Sequence, residues 1–194
     1  MKKILAMVLC ALMVLSMAAC TPNGGNETTT TGTQIVVPGS ALEMMEGIWS
    51  NYTEEDKALF PYYGGDPDNA VDNAPGAFSL ADPEVVTSML LIPADQISVV
   101  TEAASMANMM NGNFFTVCVV RLQEGTDAGV FADAIRDAIQ GNRWMCGFPE
   151  KLFVYTLGDF VIFGYGLNDA VSPFQLHLYE AYPDVTNVYD EALG

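Results

Sequence analysis

The chain has 194 residues, 51% of them hydrophobic, with 24 acidic against 7 basic side chains and a formal net charge of −17. A surface this acidic argues against nucleic-acid binding and against polybasic adhesion to anionic lipid, and leaves solubility, cationic partners or Ca²⁺ as uses of the charge. Four cysteines and a single histidine, His177, supply no Cys/His cluster at metal-ligand spacing and no Ser-His-Asp set, so neither an enzyme nor a cofactor is expected.

The N-terminus is MKKILAMVLCALMVLSMAAC. Lys2 and Lys3 precede an apolar run, Ile4 to Leu15, that is too short for an ordinary membrane span. Met17-Ala18-Ala19-Cys20 resembles the lipobox of a bacterial lipoprotein signal, with Met17 where Leu is usual. That resemblance implies a signal peptide over 1–19, cleavage before Cys20, and acylation of Cys20 by palmitate or a similar chain. The chain would then sit at the outer, extracytoplasmic face of the cell membrane. An ordinary secretory signal ending near Ala19 is the other reading. Residues 20–38 hold TPNGGNETTTTGTQ, with nothing apolar before Ile35, too little to offset the entropy of ordering, and predict a flexible tether. Residues 39–194, about 155 of them, suffice for one domain with a core.

Ser40-Ala41-Leu42-Glu43 is a capping box, and Leu42, Met44, Met45, Ile48 and Trp49 follow at helical spacing, which predicts a helix over 41–52. Phe60 to Phe78 are rich in Pro, Gly, Asp and Asn and predict a long loop. Asp82-Pro83-Glu84 is an N-cap with Pro in the first turn, but VVTSMLL is β-rich, so residues 83–91 stay open between helix and strand. Ile97 to Ala103 predict a strand. NFFTVCVVRL, Asn113 to Leu122, predicts the clearest one, and because both its faces are mostly apolar it belongs in the middle of its sheet. The pair Asn111-Gly112 just before it is a turn. Thr126 is placed to cap a helix with the stripe Val130, Phe131, Ala134, Ile135, Ala138 and Ile139, closed by Gly141.

LFVYTLGDFVIFGYG predicts a hairpin turned at Gly158-Asp159, with Leu157 opposite Phe160 and Phe153 opposite Gly164. Ser172-Pro173-Phe174-Gln175 predicts the start of a last helix, which Pro183 ends. The order predicts an α+β domain: a mainly antiparallel sheet of about four strands with helices on one face, ββαββα-like and two layers deep. Segments 113–140 and 160–182 suggest a weak internal repeat.

Four places could carry chemistry. In RWMCGFPEK, Arg143 to Lys151, Cys146 stands beside Trp144, Gly147 and Pro149. A dithiol redox site needs a second cysteine three residues on and a following helix, but the third residue after Cys146 is Pro149 and a strand follows. The segment therefore reads as architecture, with Trp144 and Phe148 covering the sheet end. Cys146 is then either a buried small hydrophobe or the partner of Cys118 in a disulfide. In GGDPDNAVDN, Asp66, Asp68, Asn69 and Asp72 are oxygen ligands of the type Ca²⁺ takes, although Ala70, Val71 and Ser79 break an EF-hand pattern; a solvated loop is the blander reading. His177 reads as a surface or satisfied structural histidine. Tyr52, Phe60, Tyr62 and Tyr63 could form a sugar- or peptide-binding face, or pack the loop onto the core.

Asn108 to Gly166, through NFFTVCVVRL, RWMCGFPEKL and GDFVIFGYG, resembles a family of small lipoproteins of clostridial Gram-positive bacteria whose function is unknown. Its most specific piece is WMCGFPEK. The resemblance implies a tethered extracytoplasmic α+β domain and brings no catalytic residue. Some relatives carry the label of bacteriocin transport accessory protein. The expectation is a non-enzymatic binding or accessory domain, joined to the membrane by the lipid on Cys20 and serving a protein or small-molecule partner. A thiol-active or export-associated accessory protein is the alternative.

Overall fold

The computed structural model describes residues 37–194. The signal, Cys20 and nearly all of the tether lie outside them. The described residues fall in one contact unit, Ile35–Gly194. No helix among them is long and apolar enough to cross a membrane.

Helix α1 (Ala41–Trp49) starts where Ser40 accepts the Glu43 amide at 3.1 Å. The Glu43 carboxylate reaches back to the Gly39 amide, one residue upstream of the expected box partner. A short turn, α2 (Glu54–Lys57), follows with a complete capping box between Thr53 and Asp56. The expected loop over 60–78 in fact holds three short strands: β1 (Tyr62–Gly64), β2 (Val71–Asp72) and β3 (Gly76–Ala77). Their Gly and Pro content hid them, because a two- or three-residue strand gives no usable alternation. Residues 83–90 settle as a helix, α3 (Pro83–Leu90), whose Asp82 cap accepts from Glu84 and Val85. Local capping outweighs the β-rich composition there.

The strand expected over 97–103 begins later. Ile97–Val99 form a 3-10 turn, and β4 runs Val100–Asn108. Another 3-10 turn, Gly112–Phe114, leads into β5 (Phe115–Leu122). Helix α4 (Ala128–Gly141) is capped by Asp127 rather than Thr126, and it buries Phe131, Ala132, Ile135 and Ile139 while leaving Val130 exposed. The stripe is thus rotated slightly from the one expected. Strands β6 (Lys151–Leu157) and β7 (Phe160–Gly166) form the expected hairpin, with Leu157 opposite Phe160 and Phe153 opposite Gly164. Helix α5 (Asn168–Ala181) starts four residues earlier than Ser172, and Pro173 lies inside it. The Glu150 carboxylate, at 2.9 Å from the Asn168 amide, provides the cap from a distant part of the chain. The last strand, β8 (Thr186–Ala192), was not expected at all.

All pairings are antiparallel, in the order β2-β1-β4-β5-β7-β6-β8, with β3 following β1 along the same edge of β4. The α+β class and the antiparallel sheet are as expected. The sheet has eight strands rather than about four. The helices also lie on both faces, which makes three layers rather than two. Helices α1 and α5 pack on one face with Phe115, Val117, Val119, Phe153, Phe160 and Ile162. Helices α3 and α4 pack on the other with Cys118, Val120, Leu152, Val154, Val161 and Phe163. A sheet whose central strands are apolar on both faces must be covered on both, since each fully buried large side chain contributes about 1.5–3 kcal/mol.

Candidate functional site

Two loops meet at one end of the sheet. One joins β4 to β5 and carries Met109, Met110, Asn111 and Asn113. The other joins α4 to β6 and carries the RWMCGFPEK segment. The side-chain amide of Asn111 donates to the Cys146 carbonyl, and that of Asn113 donates to the carbonyls of Met145 (2.7 Å) and Gly147 (3.2 Å). Cys146 has a left-handed φ of +61°, which costs a non-glycine residue energy and needs such external bonds to hold it. At Gly147 (φ +145°) an added Cβ would fall 2.7 Å from the Phe114 ring, so the close approach of the loops requires glycine. Trp144 lies 4.8 Å from the Tyr165 ring, and Pro149 is buried.

The loop is therefore held by bonds from its neighbour, and its outer surface is apolar. Met110, Met145 and Phe148 are 80%, 75% and 72% exposed, and Met109 is exposed as well. Trp144 covers the sheet end as expected, but Phe148 points to solvent instead. Ala103 to Val120 contain no charged residue, and Arg143 is the single charge between Asn142 and Pro149. Among the described residues Lys57, Arg121, Arg136 and Lys151 each have a carboxylate partner, and Arg143 has none.

The two cysteines are separate. Cys118 is buried in the sheet and Cys146 is exposed in the loop, both as free thiols, so the bridge between them is not formed in this structure and Cys146 is not a buried hydrophobe. Burial pushes the Cys118 thiol far above its ordinary value. The chain thus presents one accessible thiol among the described residues.

The acidic loop does not assemble a cation site. Asp66 is buried, whereas Asp68 and Asp72 are exposed, and Asp72 lies in β2 opposite Tyr63. Asp66 accepts from the amides of Asp68 and Ser79, both at 3.0 Å, and from the Asn69 side chain. Burial alone would raise its pKa; these hydrogen bonds outweigh that and hold the carboxyl below the ordinary carboxylate range. No group of three or more His, Cys, Asp or Glu side chains among the described residues is arranged to hold a metal ion. Beside this loop runs a groove of about 580 Å³, lined by Leu42, Glu46, Asp66, Val71, Phe78 and Ser79 among others.

His177 is buried in α5 with both ring nitrogens engaged: Nδ1 is 2.8 Å from Glu180 and Nε2 is 3.1 Å from Asp56. The ring ties α2 to α5 and offers no open nitrogen to a substrate. Of the four aromatics near the acidic loop, Tyr52 and Tyr62 are buried, and Phe60 and Tyr63 are half-buried. Tyr52, Phe60 and Tyr62 belong to the core beneath α1, with the Phe60 and Tyr62 rings 4.4 Å apart. Asp56, Glu180, Asn111 and Asn113 were not anticipated, and neither was the exposed methionine pair. The only hint in the sequence was MMNGNF, an uncharged apolar-polar segment between two strands.

No family model, curated protein or solved structure matches the chain.

Proposed function

We propose that the chain is a lipoprotein, held at the outer face of the cell membrane by a lipid on Cys20, and that its domain acts there by binding rather than by catalysis. The N-terminal pattern supports the anchoring: Lys2-Lys3, a short apolar run, Met17-Ala18-Ala19-Cys20, then a polar tether. The observation that carries the binding role is the solvent-facing set of Met109, Met110, Met145 and Phe148 on two loops joined by the Asn111 and Asn113 hydrogen bonds, a platform at the sheet end. Exposed apolar patches of this kind mark interaction surfaces, and methionine suits adaptable ones. Cells grown with labelled palmitate test the anchoring. The wild-type chain is expected to carry label, and Cys20→Ser is expected to lose it. Label retained by the variant would sink the proposal.

The exposure of Cys146 favours a second reading, a thiol-active accessory role in export. Under native conditions iodoacetamide is expected to modify Cys146 and spare Cys118, which should react only after unfolding. The thiol-active reading further requires Cys146 to react much faster than a thiol in an unfolded peptide, and an ordinary rate rules that reading out.

A further inference from the structure

We infer that the platform at the β4–β5 end of the sheet docks a segment of another protein that presents aliphatic or aromatic side chains beside a single carboxylate. The inference rests on the binding role proposed above and specifies its partner.

Three observations carry it. The first is preorganisation. Asn111 and Asn113 hold three successive carbonyls of the Cys146 loop, and Trp144, Gly147 and Pro149 are packed against the sheet end, so docking orders little new chain. The second is charge. The chain carries −17 overall, yet the β4–β5 loop is uncharged, and the facing loop offers Arg143, the one cation among the described residues without a carboxylate partner. A guanidinium at the rim of an apolar patch pairs with a carboxylate on the molecule that covers the patch. The surrounding acidity disfavours any partner with much more negative charge than that, including an anionic bilayer.

The third is placement. The domain is entered at Gly39, whose carbonyl accepts from Arg121, and Arg121 pairs with Asp159 in the β6–β7 turn. Phe115, beside the platform, begins β5, and Arg121 lies near the far end of the same strand. The platform and the entry point are therefore at opposite ends of the sheet. An anchor preceding Gly39 would join the domain at the end of the sheet away from the platform.

The test is a selection of random displayed peptides on the purified full chain, with Met145→Ser/Phe148→Ser and Arg143→Glu variants in parallel. Unchanged thermal melting of the variants shows that these exposed substitutions leave the fold intact. Enriched peptides are expected to combine two or more large apolar residues with one Asp or Glu. A synthetic copy of one should bind at least about tenfold more weakly to the double-serine variant. Arg143→Glu should shift the selected peptides from Asp or Glu to Lys or Arg. Enriched peptides that ignore both sets of substitutions would overturn the inference while leaving a binding role elsewhere on the domain. No enrichment at all would remove the binding role itself, and palmitate labelling at Cys20 would still stand or fall separately. Co-sedimentation of Cys20→Ser with phosphatidylcholine vesicles or a concentration-dependent dimer, in either case abolished by the double-serine change, would assign the platform to lipid or to a second copy and overturn the proposal.

Discussion

The Asp66 carboxylate binds the two ends of a turn-rich segment together, since its donors come from Asp68, Asn69 and Ser79. Removing it leaves the part-buried donors of Asp68, Asn69 and Ser79 without their charged acceptor, so Asp66→Ala is expected to cost about 1–3 kcal/mol in urea unfolding. Its pH behaviour has a definite sign. The folded carboxyl is held below the ordinary value of about 3.9. The stability it adds is complete above that value and is lost as pH falls through the lower, folded one. Asp66→Asn, which cannot titrate, should flatten this part of the acid limb; an unchanged slope would show that Asp66 is not the group responsible. The same carboxylate explains why Asp66, Asp68 and Asp72 read as cation ligands. Sequence records that three oxygen-bearing side chains lie close along the chain. It does not record that one turns inward to backbone amides while the other two face solvent.

The β6–β7 hairpin shows how local chemistry sets register. Gly158, at φ +59°, and Asp159 form a two-residue turn, and strand periodicity does the rest. Gly164 then faces Phe153, and a Cβ there would lie 2.6 Å from the Thr116 carbonyl and 2.9 Å from the Phe153 ring. Gly164→Ala is expected to destabilise by about 1–3 kcal/mol through overpacking, read as a lower urea midpoint. Pairing it with Phe153→Leu relieves the contact with the ring but not those with the Thr116 carbonyl and Val117 Cγ1, so a full rescue would contradict those two contacts. Elsewhere distant contacts overrule local signals. The SPFQ box in the last helix is complete in sequence, but Glu150 caps Asn168 and the helix begins a turn earlier. Strand β8 is partly exposed and carries Asp190 and Glu191. It is held by Lys151–Asp190 at 2.8 Å, Arg136–Glu191 at 2.9 Å and its ladder with β6, none of which leaves an alternating apolar pattern.

For the whole molecule, charge is the largest unbalanced quantity. Among the described residues four of the basic side chains are already paired with carboxylates, and most acidic groups have no basic partner. Raising ionic strength from about 0.01 M to 1 M shortens the screening length from about 30 Å to 3 Å and relieves the repulsion among them. It also weakens the few surface ion pairs, each worth at most about 1 kcal/mol. Repulsion among the many outweighs attraction among the few, so the melting temperature is expected to rise by several degrees in NaCl; a fall would mean that the ion pairs dominate.

Residues near one another in the chain were enough to determine the antiparallel β6–β7 hairpin, the central place of β5 and the Ser40 cap of α1. Each depends on turn chemistry, capping or period-two burial within a few residues. The order of elements pointed to helices on one face only, whereas both apolar faces of the sheet are covered. Only the tertiary structure decided which helix takes which face, because that choice belongs to the packing of the two cores. It likewise decided that Cys118 and Cys146 are free, that His177 is held between Asp56 and Glu180, and that MMNGNF meets the Cys146 loop. The meetings of Asn111 with Cys146, Asn113 with Met145 and Asp56 with His177 join residues some 30 to 120 positions apart, and no local pattern encodes them.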